Sequence, residues 1–322
     1  EPSRQEPQRE PAPLRRLSVE PARSPLLRPH TPFVAREPEL AAIRDMLRRE
    51  SVRLVTLLGP GGVGKTRLAI EVGIRLSTRF PDGAIWVPLV DIRDAAFVGP
   101  AISRAVMGTR SVPADAEPVA LLRQARVLLV LDNFEQVIDA APLLATLLLE
   151  CPDLTMLVTS RQALALTGEH VYTVPPFAVT EPGDPAMPDA SLAPEGTRLF
   201  IERARARDAT FAPSGNNAEA IAAICAALDG LPLAIELAAA QVPALSPASL
   251  LARLEGRRTN LAPGPIDMPD RHRTMRGAIE WSYELLDASL QAAFRRLAVF
   301  VGGFTLEAAE AVTSDPADIV DT

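Results

Sequence analysis

Apolar runs recur along the first half of the chain, and helix-like stretches separate them. Runs that are apolar at nearly every position are typical of strands buried on both faces, and their alternation with helices favours a parallel sheet. The pattern therefore predicts an α/β fold in which helices cover both faces of a parallel sheet. The predicted strands are residues 52–58, 84–90, 126–132, 154–159 and 170–174, with helices that include residues 95–107 and a leucine-rich one ending at Glu150.

Beyond residue 175 the strand pattern gives way to helical periodicity. Ile221, Ile224, Cys225 and Leu228 show the i, i+3, i+4, i+7 spacing of one buried helix face. We predict a small helical bundle, with helices at residues 199–207, 218–228, 231–241 and 249–254. A Pro- and Gly-rich break at residues 262–269 is followed by predicted helices at 274–286 and 287–300, a turn at 302–303 and a last short helix capped by Thr305.

Composition indicates a chain with a sizeable core and no membrane segment. The chain has 322 residues, 48% of them hydrophobic, and a net charge of −7, which argues against broad nucleic-acid binding. Cys151 and Cys225 lie far apart without a CxxC spacing, so they indicate two small buried residues rather than a metal site or a disulfide. We expect a cytoplasmic protein without membrane contact. Because the chain begins at Glu1 rather than Met, we expect it to be part of something larger.

A glycine loop between the first apolar run and a helix carries the strongest chemical signal. Residues 59–66 read GPGGVGKT and fit the phosphate-loop pattern G-x-x-x-x-G-K-[ST]. Lys65 is the one lysine among 33 Lys and Arg residues, and a planar guanidinium cannot replace a compact ammonium among phosphates. We expect Lys65 to reach the outer phosphates and Thr66 to bind Mg²⁺. The predicted nucleotide-binding residues here are Gly59, Gly61, Gly62, Val63, Gly64, Lys65, Thr66 and Arg67.

A phosphate loop needs a partner for its metal, and Asp132 ends the buried strand at the right place. A carboxylate there can hold Mg²⁺ directly or through water, although Asp132 could instead cap the following helix. Asn133 comes next, and asparagine cannot accept a proton from the attacking water. Glu135 is a weaker candidate for that base because it is expected to begin the helix. Hydrolysis is therefore predicted to be slow or conditional.

Two further positions are candidates for nucleotide contact, one at the carboxyl end of a predicted strand and one at the start of a predicted helix. Arg161 closes the fourth strand, at the edge where ligands collect in open α/β sheets. It could read the γ-phosphate and so distinguish ATP from ADP, or it could be a solvated loop residue. We predict Asp132 and Arg161 as the catalytic residues. Residues 230–232 read GLP, which by itself indicates only a glycine turn with Pro232 at the first helical position.

Together these motifs resemble the STAND class of signal-transduction P-loop NTPases, whose module is also called NB-ARC or AP-ATPase. The chain is similar in particular to the ATPase modules of bacterial regulators of the AfsR and LuxR-activator type, over residues 31–312. Ala35 stands where the leading motif of the class normally has glycine, and Asn133 replaces a second acid usual in much of the class. The motifs that carry the resemblance are residues 33–39, 59–66 (Walker A), 128–135 (Walker B), 159–161 (sensor), 230–232 (GxP), 271–275 and 281–283.

The resemblance implies roles that spacing alone does not give. Val34 and Arg36 would lie beside the adenine and ribose, and Pro232 would pack on the base. ADP would hold the module closed, whereas ATP would open it and permit self-association, with partner domains elsewhere in a larger signalling or transcription-regulating protein. The cofactors implied are ATP or ADP and Mg²⁺. Because the winged helix would not be complete by residue 322, the family's late histidine motif, which senses ADP, is expected to be absent from this sequence, and His272 is not given that role.

The sequence predicts four segments. A disordered Pro- and Arg-rich linker occupies residues 1–30, the P-loop nucleotide-binding domain residues 31–178, the helical bundle residues 179–262, and a partial winged-helix domain residues 263–322.

Two alternatives remain open at this stage. One is a P-loop ATPase with steady turnover, either an AAA+-like motor or a small-molecule kinase. The other is a winged-helix DNA reader that uses Arg271, Arg273 and Arg276, although the acidic total makes DNA binding by this stretch unexpected.

Overall fold

A computed structural model describes residues 26, 28–108, 117–180, 193–213, 216–255, 273–284, 286, 288–300 and 304–313. Most of the predicted linker, the break at 262–269, Arg271, His272 and the turn at 302–303 lie outside these residues. Within the described part of the chain, no helix is both long enough and apolar enough to cross a membrane.

The apolar runs form one parallel sheet of five strands, in the order β2-β3-β4-β1-β5. The predicted α/β fold is therefore confirmed, and each strand end lies within two residues of its prediction. Because every strand runs the same way, the loops that follow them meet at one edge. The strands are β1 Leu54–Leu58, β2 Ala84–Pro88, β3 Leu128–Asp132, β4 Thr155–Ser160 and β5 Glu169–Thr173.

Helices cover both faces of this sheet. Alternate residues of β3 enter different cores, Leu129 and Leu131 on one face and Leu128 and Val130 on the other, as the period of two in a strand requires. All four side chains are fully buried. The helices of this part are α1 Glu37–Leu47, α2 Lys65–Leu76, α3 Val98–Met107, α4 Pro118–Leu122 and α5 Ala141–Glu150, with 3-10 segments at Ser77–Arg79, Ala95–Phe97 and Phe134–Ala140.

The segment after β3 differs from the single helix expected there. Asn133 adopts a left-handed conformation at φ 64°, the chain continues as the 3-10 segment Phe134–Ala140, and Val137 departs from helical angles. The α-helix begins only at Ala141. The short helix α4 was not predicted, because five residues carry too little periodicity to be recognised.

A separate core lies among the next helices. Phe200, Ile224, Cys225, Ile235 and Leu250 pack there, and Cys225 is buried, as is Cys151 in the sheet region. A helical bundle is thus present after the sheet, while the predicted domain boundaries stay predictions. The helices are α6 Glu195–Arg207, α7 Asn216–Ala227, α8 Pro232–Ala239 and α9 Pro247–Glu255, followed by α10 Met275–Glu284, α11 Ala288–Leu297 and α12 Leu306–Thr313.

A tight turn at Gly230 joins the bundle to the segment that leaves the sheet. Gly230 has φ 63°, and its carbonyl oxygen accepts a hydrogen bond from Phe177 N at 2.9 Å. A Cβ at this position would overlap the carbonyl oxygen of Phe177. Glycine is therefore required both for the backbone angle and for the close approach.

Gly230→Ala should destabilise the protein more than Gly168→Ala does. Both glycines have left-handed φ angles, 63° and 84°, so both substitutions carry the same backbone strain. At Gly168 no atom lies within 4 Å of an added Cβ, so only Gly230→Ala adds a steric overlap, worth about 1–3 kcal/mol more. Urea denaturation of both variants measures this difference. Equal free energies of unfolding would contradict the close approach.

Candidate functional site

The glycine loop turns the chain from β1 into α2 and places Lys65 and Thr66 at the start of that helix. The Lys65 side chain is buried, and its Nζ donates to the carbonyl oxygens of Gly59 at 2.6 Å and Pro60 at 3.1 Å. The loop therefore curls around an ammonium group at a helix N-terminus, where backbone N–H groups favour an anion.

The electrostatic state of Lys65 follows from its burial. Burial lowers the pKa of Lys65 from 10.5 to about 8, against the opposing pull of the Glu135 and Asp132 carboxylates. The Arg161 guanidinium acts in the same direction as burial. The charged form of Lys65 is thus poorly compensated by the protein itself, and a bound phosphate would supply the missing negative charge.

The Asp132 carboxylate joins the ends of neighbouring strands. Its Oδ1 accepts hydrogen bonds from Thr66 Oγ1 at 2.7 Å and from Thr159 Oγ1 at 2.6 Å. Thr159 Oγ1 in turn accepts from Asn133 N at 2.9 Å. The residue at the cap position of the following 3-10 segment is Asn133 rather than Asp132.

The oxygen atoms of Thr66 and Asp132 suit Mg²⁺, which prefers oxygen ligands and is commonly bound by one or two protein groups together with waters and substrate phosphates. In the described part of the chain, no group of three or more His, Cys, Asp or Glu side chains is arranged to hold a metal ion. A cation at Thr66 and Asp132 would therefore complete its coordination with phosphate and water oxygens.

Arg161 lies against Glu135 rather than in solvent. Its Nε is 3.2 Å from Glu135 Oε1, and the two side chains are only 20% and 5% exposed. The solvated-loop alternative for Arg161 is therefore not observed. Asn133 Oδ1 is buried with no hydrogen-bond partner among the described residues. Polar groups from β3 and β4 thus converge next to the glycine loop.

Arg36, predicted from the resemblance to lie beside the ribose, is held by three partners. Its guanidinium donates to Glu39 Oε1 at 2.6 Å and to the Val63 carbonyl oxygen at 3.1 Å. It also lies 4.3 Å from the centre of the Phe177 ring, within cation–π distance. The side chain is 4% exposed. Arg36 therefore ties the leading segment (residues 28–36) to the glycine loop and to the start of the bundle.

The sequence did not predict the contacts that Arg67 and Arg203 make with the leading segment beside the site. Arg67 donates to both oxygens of Thr31, and burial lowers the pKa of Arg67, an effect that the nearby Arg203 reinforces. Arg203 Nε donates to Glu236 Oε1 at 2.8 Å and its guanidinium to the Pro32 carbonyl oxygen at 3.3 Å. No motif signals these residues, because they meet only through the tertiary fold.

The bundle touches the glycine loop directly at the start of α8. Leu233 N donates to the Gly62 carbonyl oxygen at 3.2 Å. A Cβ added at Gly62, which has φ 80°, would lie 3.0 Å from Leu233 Cβ. Pro232 comes within 4.0 Å of the position that a Cβ at Gly64 would occupy. Residues of the GLP turn and of the glycine loop therefore share one contact surface.

A cavity of about 310 Å³ lies where these parts meet, at the lower end of the range for small-molecule sites. Gly59 and Asp132 lie outside its lining. Asp132 is hydrogen-bonded to Thr66, which lines the cavity. The other predicted site residues all line it: Val34, Arg36, Gly61, Gly62, Val63, Gly64, Lys65, Thr66, Arg67, Arg161 and Pro232.

Comparison with known sequences finds relatives along most of the chain. An uncharacterised protein of Mycobacterium tuberculosis is 38% identical over 292 residues, which are 89% of this chain and 70% of that protein. Another M. tuberculosis protein, named as an HTH-type transcriptional regulator, is 40% identical over 84% of this chain and 30% of its own length. The regulatory protein AfsR of Streptomyces coelicolor is 29% identical over 81% of this chain and 25% of its length. No protein-family model matches the chain.

Solved structures give more distant similarities. A STAND protein with a tetratricopeptide repeat sensor from Pyrococcus horikoshii covers 91% of this chain and 38% of its own, with 17% identity and a TM-score of 0.36. Cdc6p from Pyrobaculum aerophilum covers 91% of this chain and 81% of its own, with 17% identity and a TM-score of 0.41.

The depressed pKa of Lys65 should appear as a pH-dependent difference in stability between the wild type and Lys65→Met. In the folded protein the pKa is about 8, below the unfolded value of 10.5. Between these values the unfolded chain binds more protons, so stability rises with pH. The wild type should therefore gain about 2 kcal/mol relative to Lys65→Met between pH 7 and pH 10. Urea denaturation at both pH values measures this, and a constant difference would contradict it.

Proposed function

Because this chain belongs to the same family as the uncharacterised Mycobacterium tuberculosis protein and has the parallel sheet and glycine loop of a P-loop NTPase, we propose that it is an adenine-nucleotide-dependent switch. In this proposal it works within a larger signalling or transcription-regulating protein. ADP holds the sheet domain and the helical bundle together, and ATP releases them. Hydrolysis is slow or conditional. The names of the relatives support the regulatory part of the proposal.

The observation that carries the proposal is the hydrogen bond from Leu233 N to the Gly62 carbonyl oxygen. It joins the first turn of α8 to the loop expected to cradle the phosphates. A change in that loop on nucleotide binding would alter a contact that positions the bundle. An enzyme that only turned over nucleotide would not require this direct contact between phosphate loop and bundle.

A switch requires that the two nucleotides bind the two arrangements with different free energies, since a ligand with equal affinity for both shifts nothing. Arg161 can supply that difference because it faces the same cavity as Lys65. Only ATP presents a γ-phosphate to this guanidinium. Pro232, on the wall that the bundle contributes, would pack on the base in the closed arrangement.

The rest of the ligand is assigned to the remaining walls of the cavity. Val34 and Arg36 of the leading segment would lie by the adenine and ribose. Thr66 and Asp132 would hold Mg²⁺, which would neutralise phosphate charge when bound. Val34, Arg36 and Thr66 line a cavity large enough for a small ligand, and they contribute both cationic and apolar surface. Asp132 lies outside the lining and is hydrogen-bonded to Thr66.

The same proposal includes the domain division. A P-loop domain at residues 31–178, a helical bundle at 179–262 and a partial winged-helix domain at 263–322 would move relative to one another, and ATP-bound copies would self-associate. The separate core among α6 to α9 supports a bundle that can shift as a unit. DNA binding by this stretch is not part of the proposal.

At an ADP concentration of about 100 times the wild-type Kd, Lys65→Ala should lower the stabilisation of the protein by ADP to about half of the wild-type value or less. The lysine provides the main positive charge for the phosphates, so its loss should weaken ADP binding by tenfold or more, about 1.4 kcal/mol or more. In the wild type, ADP at about 100 times its Kd should stabilise the fold by about 2.7 kcal/mol. Thermal unfolding with and without ADP measures both quantities.

Arg75→Ala is the matched control for Lys65→Ala. It removes one positive charge from the same helix, but Arg75 is 43% exposed and pairs with Glu37 and Glu71 on the surface. ADP should stabilise this variant as it does the wild type. Undiminished ADP stabilisation of Lys65→Ala would remove the assignment of the site.

Asp132→Asn should weaken the binding of Mg²⁺ at the site more than the binding of ATP itself. The amide keeps an oxygen for Thr66 and Thr159 but loses the charge that favours a cation. The Mg²⁺ concentration needed for half of the ATP-dependent stabilisation should rise about tenfold. Titration of Mg²⁺ at fixed ATP measures this, with titrations in EDTA as the reference. An unaltered Mg²⁺ requirement would contradict the metal role of Asp132.

A further inference from the structure

Glu135 is a buried carboxylate in the candidate site that the proposed switch does not use. It lies on the 3-10 segment directly after β3, and its side chain is 5% exposed. Its Oε1 pairs with Arg161, whereas its Oε2 is buried and has no hydrogen-bond partner among the described residues. A buried carboxylate oxygen without a partner is costly, so its retention at this position points to a role.

The carboxylate lies beside the residues expected to hold the phosphates. Glu135 lines the same cavity as Lys65, Thr66 and Asn133. Among the carboxylates that act on the charge of Lys65, Glu135 has the largest influence. The end of the cavity that contains Glu135 is therefore the end at which terminal phosphates would lie.

Other carboxylates are less suited to activate water there. The described cavity lining contains one more, Glu236, which is paired with Arg203 on the bundle side. Asp132 Oδ1 already accepts two hydroxyl groups, and its charge is needed for the cation. Asn133 carries an amide, which cannot accept a proton in this role. Glu135 is left as the carboxylate with a suitable position.

We propose that Glu135 is the general base of ATP hydrolysis and that its ion pair with Arg161 keeps it inactive until a γ-phosphate is present. This inference rests on the proposed function, because it requires a nucleoside triphosphate in the cavity. Glu135 takes a proton from a water molecule as the water oxygen forms a bond to the γ-phosphorus. The bond between that phosphorus and the β,γ-bridging oxygen breaks, and its electron pair leaves on ADP. The products are ADP and inorganic phosphate, and Glu135 releases its proton to solvent.

The ion pair makes the reaction depend on the bound nucleotide. A γ-phosphate competes with Glu135 for the guanidinium of Arg161, because phosphate and carboxylate oxygens both accept charge-assisted hydrogen bonds from arginine. When Arg161 turns to the phosphate, Oε1 of Glu135 is released next to the attacking water. ADP offers no γ-phosphate, so the pair stays closed. One contact thereby couples recognition of the triphosphate to activation of the base.

The test compares wild type with Glu135→Gln in a single-turnover assay, with enzyme in excess over ATP and Mg²⁺ present. The glutamine keeps the size of the side chain and can still accept from Arg161, but it cannot take a proton. Hydrolysis should fall by about 100-fold or more, while the shift in Tm that ATP produces should stay within error of wild type. A purely structural role would change the Tm shift together with the rate.

Asp139→Asn is the matched control, because it removes a carboxylate from the same 3-10 segment at an exposed position. It should hydrolyse ATP at the wild-type rate. Glu135→Asp provides a second variant in case Glu135→Gln does not fold. It keeps a carboxylate but sets it one methylene further from the water. Its hydrolysis rate should lie between those of wild type and Glu135→Gln, and if Glu135→Gln does not fold, the rate of Glu135→Asp should still be tenfold or more below that of wild type.

Each outcome separates the two proposals. If wild type does not bind ATP, the proposed function fails. If wild type binds ATP but Glu135→Gln hydrolyses it as fast, the assignment of the base is overturned and the switch stands. A wild type that binds ATP and hydrolyses it no faster than Glu135→Gln overturns the assignment in the same way. Loss of hydrolysis in Glu135→Gln with intact ATP binding, alongside normal Asp139→Asn, supports it.

Discussion

A single carboxylate oxygen holds the functional edge of the sheet together. Asp132 Oδ1 receives hydroxyl groups from Thr66, at the start of the helix after β1, and from Thr159 in β4. In the sheet, β4 lies between β1 and β3, so this oxygen connects the carboxyl ends of three adjacent strands. A nearly buried charge is tolerated only when it is hydrogen-bonded. The hydroxyl groups that stabilise Asp132 therefore also fix the glycine loop relative to the sheet.

The glycine loop is held from two further directions. Arg36 donates to the Val63 carbonyl oxygen from the leading segment, and Leu233 N donates to the Gly62 carbonyl oxygen from the bundle. Arg36 also packs on Phe177, where the chain leaves the sheet for the bundle. The loop that would sense a phosphate is thus bonded through its own backbone to both of its neighbours. No long pathway is needed to carry a change in the loop to the bundle.

Much of the sheet edge could be predicted because its signals are local. Four nearly continuous apolar runs and the shorter stretch at 170–174 predicted the strands of the parallel sheet. The GPGGVGKT loop predicted the helix that begins at Lys65, and a proline after a glycine turn predicted the start of α8. The left-handed Asn133 and the 3-10 segment behind it could not be foreseen, because the apolar spacing there also suits a helix. The contact of Arg203 with Pro32 joins residues 171 positions apart. Such contacts depend on how the layers dock, which no local pattern records.

The burial of Lys65 has a practical consequence for chemistry on this protein. Acylating reagents attack neutral amines, and the lowered pKa of Lys65 leaves part of its population neutral near pH 8. Apart from an α-amino group at the N-terminus, no other amine in this sequence competes for the reagent, because Lys65 is its one lysine. The side chain is nevertheless only 8% exposed. The rate at which an amine-reactive label attaches to this one position therefore reports how accessible the cavity is to a reagent.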